Sequence, residues 1–293
     1  MDVHVVRPLS PSEKNKMSYL QTKNQYITVE GLKIAYRELG QGKSQYPLVM
    51  LVHLAATMDN WDPKLIDNLA EKNHIIVMDL PGVGASEGKI AESIPCMADQ
   101  AIAIIKALGY QKINLLGLSM GGFIAQEIVR LDANLVNTLT LAGTGPRAGI
   151  GVDKVTGVTF KHMANGFLHG ADAKRYIFYN PDKAGKVEAH KVLDRLASRP
   201  KDAKDKDMKV SSFLKQLKAI KSWGKAEQDT LDFIKVPTFI VNGDNDVMVP
   251  TQNSYDMHEK IQDSKLIIYP DAGHGAIFQY AEEFVDELNN FLN

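Results

Sequence analysis

Six short, largely apolar runs are spaced along the chain: residues 47–54, 74–80, 113–118, 136–142, 236–241 and 265–269. A strand that is apolar at nearly every position must be buried on both faces. A parallel sheet covered by helices on both sides provides that burial. Stretches with helical spacing of apolar residues fall between or after the runs, at residues 61–72, 93–108, 121–131, 253–261 and 281–292. This alternation predicts right-handed crossovers and an α/β fold with a mostly parallel sheet. Residues 26–30 and 32–37, flanking Gly31, read as a hairpin ahead of it.

Residues 146–231 break the rhythm. Val210, Phe213, Leu214, Leu217, Ile220 and Trp223 recur at helical spacing there, and no buried strand is evident. The expectation is a helical lid inserted between two strands, above the strand ends. Residues 22–145 and 232–293 then form the core, and residues 1–21 a flexible arm. Aromatic residues of the lid, Phe160, Phe167, Tyr176, Phe178, Tyr179, Phe213 and Trp223, are read mostly as its own core, with an acyl pocket as the alternative. The Lys/Asp-rich stretch 201–209 reads as an exposed loop or helix start.

Composition narrows the function classes. At 44 % hydrophobic and 24 % charged residues the chain is not intrinsically disordered. Lys plus Arg at 34 against Asp plus Glu at 35 argues against a nucleic-acid binder, which needs a basic excess. Cys96, the single cysteine, can form neither an internal disulfide nor a multi-thiolate zinc site, and reads as a small buried hydrophobe in a helix. Residues 1–21 have no signal-peptide apolar region, and no run reaches the ~20 residues that span a bilayer. A cytoplasmic protein without membrane insertion is expected.

The chemistry concentrates at strand ends. Residues 117–122 (GLSMGG) carry a G-x-S-x-G pattern between an apolar run and a helical stretch, the context of a nucleophile elbow. Ser119 is the candidate nucleophile. A serine hydroxyl needs a base, and the base an orienting acid. His274 lies in a Gly-rich loop after one of the last strands, unlike the other seven histidines, and is the candidate base. Asp246 is the candidate acid, with Asp244 as a turn-forming rival and Asp271 as a weaker one. The oxyanion requires two donors. These are read as the backbone N–H of Met120 and that of Ala55, with Leu54 as the alternative to Ala55. His53 is read as tying down its loop. Gly82-x-Gly84 lacks the Gly-Lys-Ser/Thr of a phosphate loop and reads as a βα turn.

On these residues the chain resembles the α/β-hydrolase superfamily over residues 22–293. The resemblance rests on 51–54 (LVHL), 79–86 (DLPGVGAS), 117–122, 243–250 (GDNDVMVP) and 271–275 (DAGHG). It is similar to small bacterial serine hydrolases, including esterases and cofactor-free haloperoxidases. Ser119 distinguishes it from haloalkane dehalogenases and epoxide hydrolases, which place Asp at the elbow. Relatives usually carry His-Gly where this chain has His53-Leu54, and C–C bond hydrolases usually have a Gly-rich oxyanion loop absent here. The resemblance implies carboxylesterase-like acyl transfer (EC 3.1) on a small ester, lactone or thioester. It implies no metal or cofactor, and a small acyl substrate as the partner. A perhydrolase or haloperoxidase-like enzyme, or a slow-turnover ligand-binding protein, are the alternatives.

The near-zero net charge is a cancellation. Residues 146–231 hold 18 Lys plus Arg and 10 Asp plus Glu, a net of +8; the remainder holds 16 and 25, a net of −9. Such a segment is attracted to the acidic core, and it can also steer anionic substrates. If it steers, kcat/KM for an anionic ester falls as ionic strength rises; an unchanged value excludes steering.

Overall fold

The computed structural model describes residues 18–293. Eight strands form one sheet: β1 (Gln25–Val29), β2 (Leu32–Leu39), β3 (Leu48–Leu51), β4 (Ile75–Met78), β5 (Ile113–Leu118), β6 (Val136–Ala142), β7 (Thr238–Gly243) and β8 (Ser264–Tyr269). Their order is β1-β2-β4-β3-β5-β6-β7-β8. The β1–β2 and β2–β4 pairs are antiparallel, and all later pairs are parallel. Four helices cover the sheet: α1 (Pro63–Ala70), α2 (Ile94–Ala107), α3 (Met120–Leu131) and, last in the chain, α10 (Ala281–Leu292).

The unbroken apolar runs supply both faces. Val49, Leu51, Ile76 and Met78 pack into one hydrophobic cluster with Met97 and Ala101 of α2 and Phe123 of α3. Their sequence neighbours Leu48, Met50, Ile75 and Val77 pack into the other, with Leu65 of α1 and Phe284 of α10. This is the period-two alternation of a strand, with both faces apolar. Helix starts follow local chemistry. Asp62 accepts from Lys64 N–H ahead of Pro63 at the first turn of α1, and Ser93 caps α2 in the same way.

The helical segment lies between β6 and β7. It holds α4 (Val155–His169), α5 (Lys174–Ile177), α6 (Lys183–Ala197) and α7 (Val210–Gly224). Short α8 (Gln252–Lys260) and α9 (Ala276–Gln279) follow β7 and β8. No helix among the described residues is long and apolar enough to cross a membrane.

Several expectations are revised. The run 47–54 is a strand only to Leu51; its later residues stay apolar because the following loop is itself buried, with Ala56 and Met58 at most 1 % exposed. Cys96 is exposed, because the buried stripe of α2 is Ile94, Met97, Ala98, Ala101, Ile104 and Ile105, and Cys96 falls off it. The expected arm falls outside the described residues up to residue 17. Its last residues are docked: Tyr19 is buried and its backbone N–H donates to Asp67. The aromatics of residues 146–231 do not form one core. Phe167 is exposed, Phe178 and Tyr179 are buried against the sheet-covering cluster, and Trp223 stacks on Phe123 of α3.

Buried charge binds the helical segment to the sheet domain. Arg37 of β2, wholly buried, donates to Asp59 at 2.6 Å and to Asp205 at 2.8 Å. Asp205 comes from the stretch expected to be solvated, yet its side chain is only 1 % exposed. Arg199 adds a contact to Asp59 at 2.9 Å and donates to the carbonyls of Tyr19 and Thr22. Arg195 clamps Asp62 with two bonds of 2.6 and 2.7 Å. Removing one member of such a group strands a buried charge. Arg37→Met is expected to lower unfolding free energy by about 3–5 kcal/mol in urea titration, with partial recovery on adding Asp205→Asn.

Candidate active site

Ser119 stands between the last residue of β5 and the first of α3, with φ 56° and ψ −117°. A left-handed φ on a residue with a Cβ costs of order 1–3 kcal/mol and persists only where the surroundings impose it. Here they do. Ser119 N–H donates to Ala142 at the end of β6 at 2.8 Å, and its carbonyl accepts from Gly122 N–H and Thr144 Oγ1, both at 2.8 Å. The turn has no room for side chains at its glycines. A Cβ on Gly121 would lie 2.1 Å from the Leu51 carbonyl oxygen, and one on Gly117 would lie 2.3 Å from that of Gly121. The G-x-S-x-G pattern is therefore a steric requirement of bringing α3 this close to β3 and β5.

The loops after β7 and β8 bring Asp246 and His274 together. Asp246 Oδ2 lies 2.7 Å from His274 Nδ1, and both side chains are at most 2 % exposed. The other carboxylate oxygen accepts from Met248 and Val249 N–H at 2.8 and 3.0 Å, which fixes the acid. With Nδ1–H donated to Asp246, Nε2 carries the lone pair, the tautomer a general base needs. The ring lies against Gly143, one residue beyond the carbonyl that holds Ser119. Ser119, after β5, and His274, after β8, are thus linked through the end of β6, where Ala142 holds the serine and Gly143 meets the ring. Ser119 Oγ makes no hydrogen bond to the imidazole among the described residues; contacts of this kind commonly tighten only when substrate is bound.

Asp244 does other work. Its two oxygens accept from Asp271 and Ala272 N–H at 3.0 and 3.1 Å, so it pins the loop that presents His274. Asp271 takes a left-handed φ of 49° at that turn. Phe178, from the helical segment, completes the wall. Its ring meets His274 edge-on at 5.3 Å and His53 at 4.8 Å, and its carbonyl accepts from Gly275 N–H at 2.9 Å.

The loop after β3 carries a further left-handed non-glycine residue. It is Ala55, with φ 60°, and not Leu54. Leucine at the usual glycine position is therefore accommodated, because the strained conformation falls one residue later. His53 Nδ1 lies 2.8 Å from the Leu54 carbonyl. Burial pushes the His53 imidazole down to about 3, so it is neutral and donates that bond. Ala55 N–H donates to Gln216 Oε1 of α7 at 2.9 Å. Met120 N–H, first in α3, has no partner within the helix, as for any first-turn donor. Sequence reasoning missed Thr144 and Gln216, and it read Phe178 mostly as core of the helical segment, with an acyl pocket as the alternative. Gln216 did leave a signal: a polar residue one position before Leu217 in a buried helical stripe.

The same side of the sheet holds a small cavity of about 20 Å³, room for a water molecule. Its lining includes His53, Ala56, Leu80, Val83, Met120 and Gln216. Among the described residues no group of three or more His, Cys, Asp or Glu is placed to hold a metal ion. Asp79, after β4, accepts from Met58 N–H at 2.9 Å and Ala85 N–H at 3.2 Å, joining two of the loops around this cavity.

Burial, with the nearby Asp205 charge, raises the Asp79 carboxyl to about 7 despite those two donors. The folded state therefore favours its neutral form. Relative to an unfolded value near 3.8, the cost is absent at low pH, grows as pH rises from about 4 to 7, and is constant above. The stability of Asp79→Asn relative to the parent should accordingly improve between pH 4 and 7. Urea titrations across that range measure it, and a flat difference contradicts the raised value.

The family model of the alpha/beta hydrolase fold matches residues 46–280. An alpha/beta hydrolase fold protein from Chitinophaga pinensis is similar with a TM-score of 0.88 and 31 % identity, over 94 % of this chain and 99 % of that one. A 2-hydroxy-6-oxo-6-(2'-aminophenyl)hexa-2,4-dienoic acid hydrolase of Metapseudomonas resinovorans is 27 % identical over 96 % of this chain and 94 % of its own. A non-heme haloperoxidase of Rhodococcus erythropolis is 24 % identical over 90 % and 97 %.

Proposed function

The chain belongs to the alpha/beta hydrolase fold family, and from that premise we propose that it is a serine hydrolase cleaving a small ester, lactone or thioester through Ser119, His274 and Asp246. One observation carries the reading. The imidazole of the buried Asp246–His274 pair, joined at 2.7 Å, lies against Gly143, the residue after the Ala142 carbonyl that holds Ser119 at its strained elbow. Ser119 Oγ attacks the carbonyl carbon while His274 Nε2 takes its proton. Asp246 keeps the Nδ1–H tautomer and stabilises the imidazolium. The oxyanion is held by the N–H groups of Met120 and Ala55, and the positive end of α3 adds to the field there. The imidazolium returns its proton to the leaving group. A water, deprotonated by His274, then releases the acid and restores Ser119.

In this reading the segment between β6 and β7 acts as a lid. Phe178 and Gln216 reach from it to the loops of the site, and its net charge of +8 favours anionic substrates. The similarity to a dienoic acid hydrolase supports a carboxylate-bearing substrate. It also supports a second reading, in which such an oxo-acid is the compound attacked. The similarity to a haloperoxidase keeps peracid formation as a side activity of the same triad.

Turnover of p-nitrophenyl esters, lactones, thioesters and a 2-hydroxy-6-oxohexa-2,4-dienoic acid tests both readings. Ser119→Ala should reduce the preferred reaction to background. Asp246→Asn should lower kcat by about 10⁴-fold, since it forces the wrong imidazole tautomer. Comparable turnover by the Ser119→Ala protein would remove the serine from the mechanism.

A further inference from the structure

Gln216 is 3 % exposed, and its neighbours in the buried stripe of α7 are Leu217, Ala219, Ile220 and Trp223. Its Oε1 accepts from Ala55 N–H, and its Nε2 has no protein partner among the described residues. The helix beneath it is anchored. Trp223 stacks on Phe123 with ring centroids 5.6 Å apart, and the Trp223 carbonyl accepts from Ala148 N–H at 3.1 Å. A Cβ on Gly224 would lie 2.3 Å from the Asp153 nitrogen, so that end of α7 is in backbone contact with its neighbour. The mobile part is therefore the Gln216 side chain, with its rotatable bonds, and not the helix.

Ala55 offers one hydrogen. It cannot serve both an amide oxygen and an oxyanion at full strength. The adjoining cavity of about 20 Å³ has room for a water, and Gln216 forms part of its wall. We infer that Gln216 is an internal occupant of the oxyanion site: its amide oxygen takes the place of the substrate's carbonyl oxygen, and substrate gains the Ala55 donor by turning Gln216 out of the cavity. The inference rests on the reading of Ala55 as an oxyanion donor. It accounts for a buried glutamine on an otherwise apolar helix face. The amide satisfies the N–H of a strained loop until substrate replaces it. It also makes Gln216 a specificity residue, since a substrate must offer a better acceptor than a neutral amide.

The test compares the parent protein with Gln216→Met, of similar length but without a strong acceptor, and with Gln216→Asn, whose oxygen is withdrawn by one methylene. Two rates are read: fluorophosphonate labelling of Ser119, and kcat/KM for p-nitrophenyl acetate. Melting temperatures identify any variant that fails to fold. Freed from competition with one neutral hydrogen bond, both variants should gain about threefold to tenfold in each rate. Gln216→Glu, a charged acceptor that also repels the oxyanion, should lose activity. Labelling of the parent at a rate that neither folded variant exceeds overturns the inference and leaves the hydrolase reading standing. Absence of labelling in parent and variants alike overturns both.

Discussion

The close approach of α3 to β3 is the constraint on which the site depends. Gly121 sits against the Leu51 carbonyl, with no space for a Cβ. That contact forces the chain to leave β5 through a turn so tight that Ser119 must adopt a left-handed φ. The cost is local, of order 1–3 kcal/mol, and is offset by fixed hydrogen bonds from Thr144 and Gly122 and to Ala142. The outcome is a hydroxyl held off the sheet and a helix start whose first N–H has no helical partner. The same approach brings the loop after β3 beside that helix start, where Ala55 carries a further left-handed φ.

Much of this was legible in the sequence, because it depends on local order. The sheet followed from apolar runs, the elbow from G-x-S-x-G, and Asp246 and His274 from loops after the last two strands. Periodicity states which face of a helix is buried but not what it meets. Gln216 lies 161 residues from Ala55, and Asp205 lies 168 from Arg37. Neither pairing has a local signature. Asp205 was hidden further by its setting, a run in which every other Lys and Asp is exposed. Cys96 failed for the opposite reason. Helix α2 was recognised, but its phase is set by Ile94 and Met97, which turn Cys96 outward.

The positions that support the candidate triad come from separate parts of the chain. Asp244 fixes the loop of His274, the Phe178 carbonyl fixes Gly275 from the helical segment, and Thr144 fixes Ser119 from the end of β6. The Phe178 carbonyl and the Thr144 hydroxyl are buried polar groups that would otherwise be unsatisfied, while Asp244 is exposed and orders its loop. A strand end in a parallel sheet presents unpaired backbone groups, and here they are satisfied by the loops that present the chemistry. Satisfying the backbone and orienting the candidate catalytic groups are thus one problem with one solution.

The charge division between segment and core gains meaning from residue type. The four arginines of residues 146–231 all turn inward: Arg147 to Glu127, Arg195 to Asp62, Arg199 to Asp59, and Arg175 to backbone carbonyls of Asn180 and Pro181. Arginine suits this role because its planar fork bonds several oxygens at once and tolerates desolvation better than an ammonium. The remaining 14 cations of the segment are lysines. Two of them pair within the segment, Lys174 with Asp172 and Lys191 with Glu188. Attraction to the acidic core is therefore carried by arginines, which are already matched to core carboxylates and backbone. Any field that the segment presents outward is set by its lysines, so neutralising lysines would alter encounter with an anion without loosening the segment from the sheet.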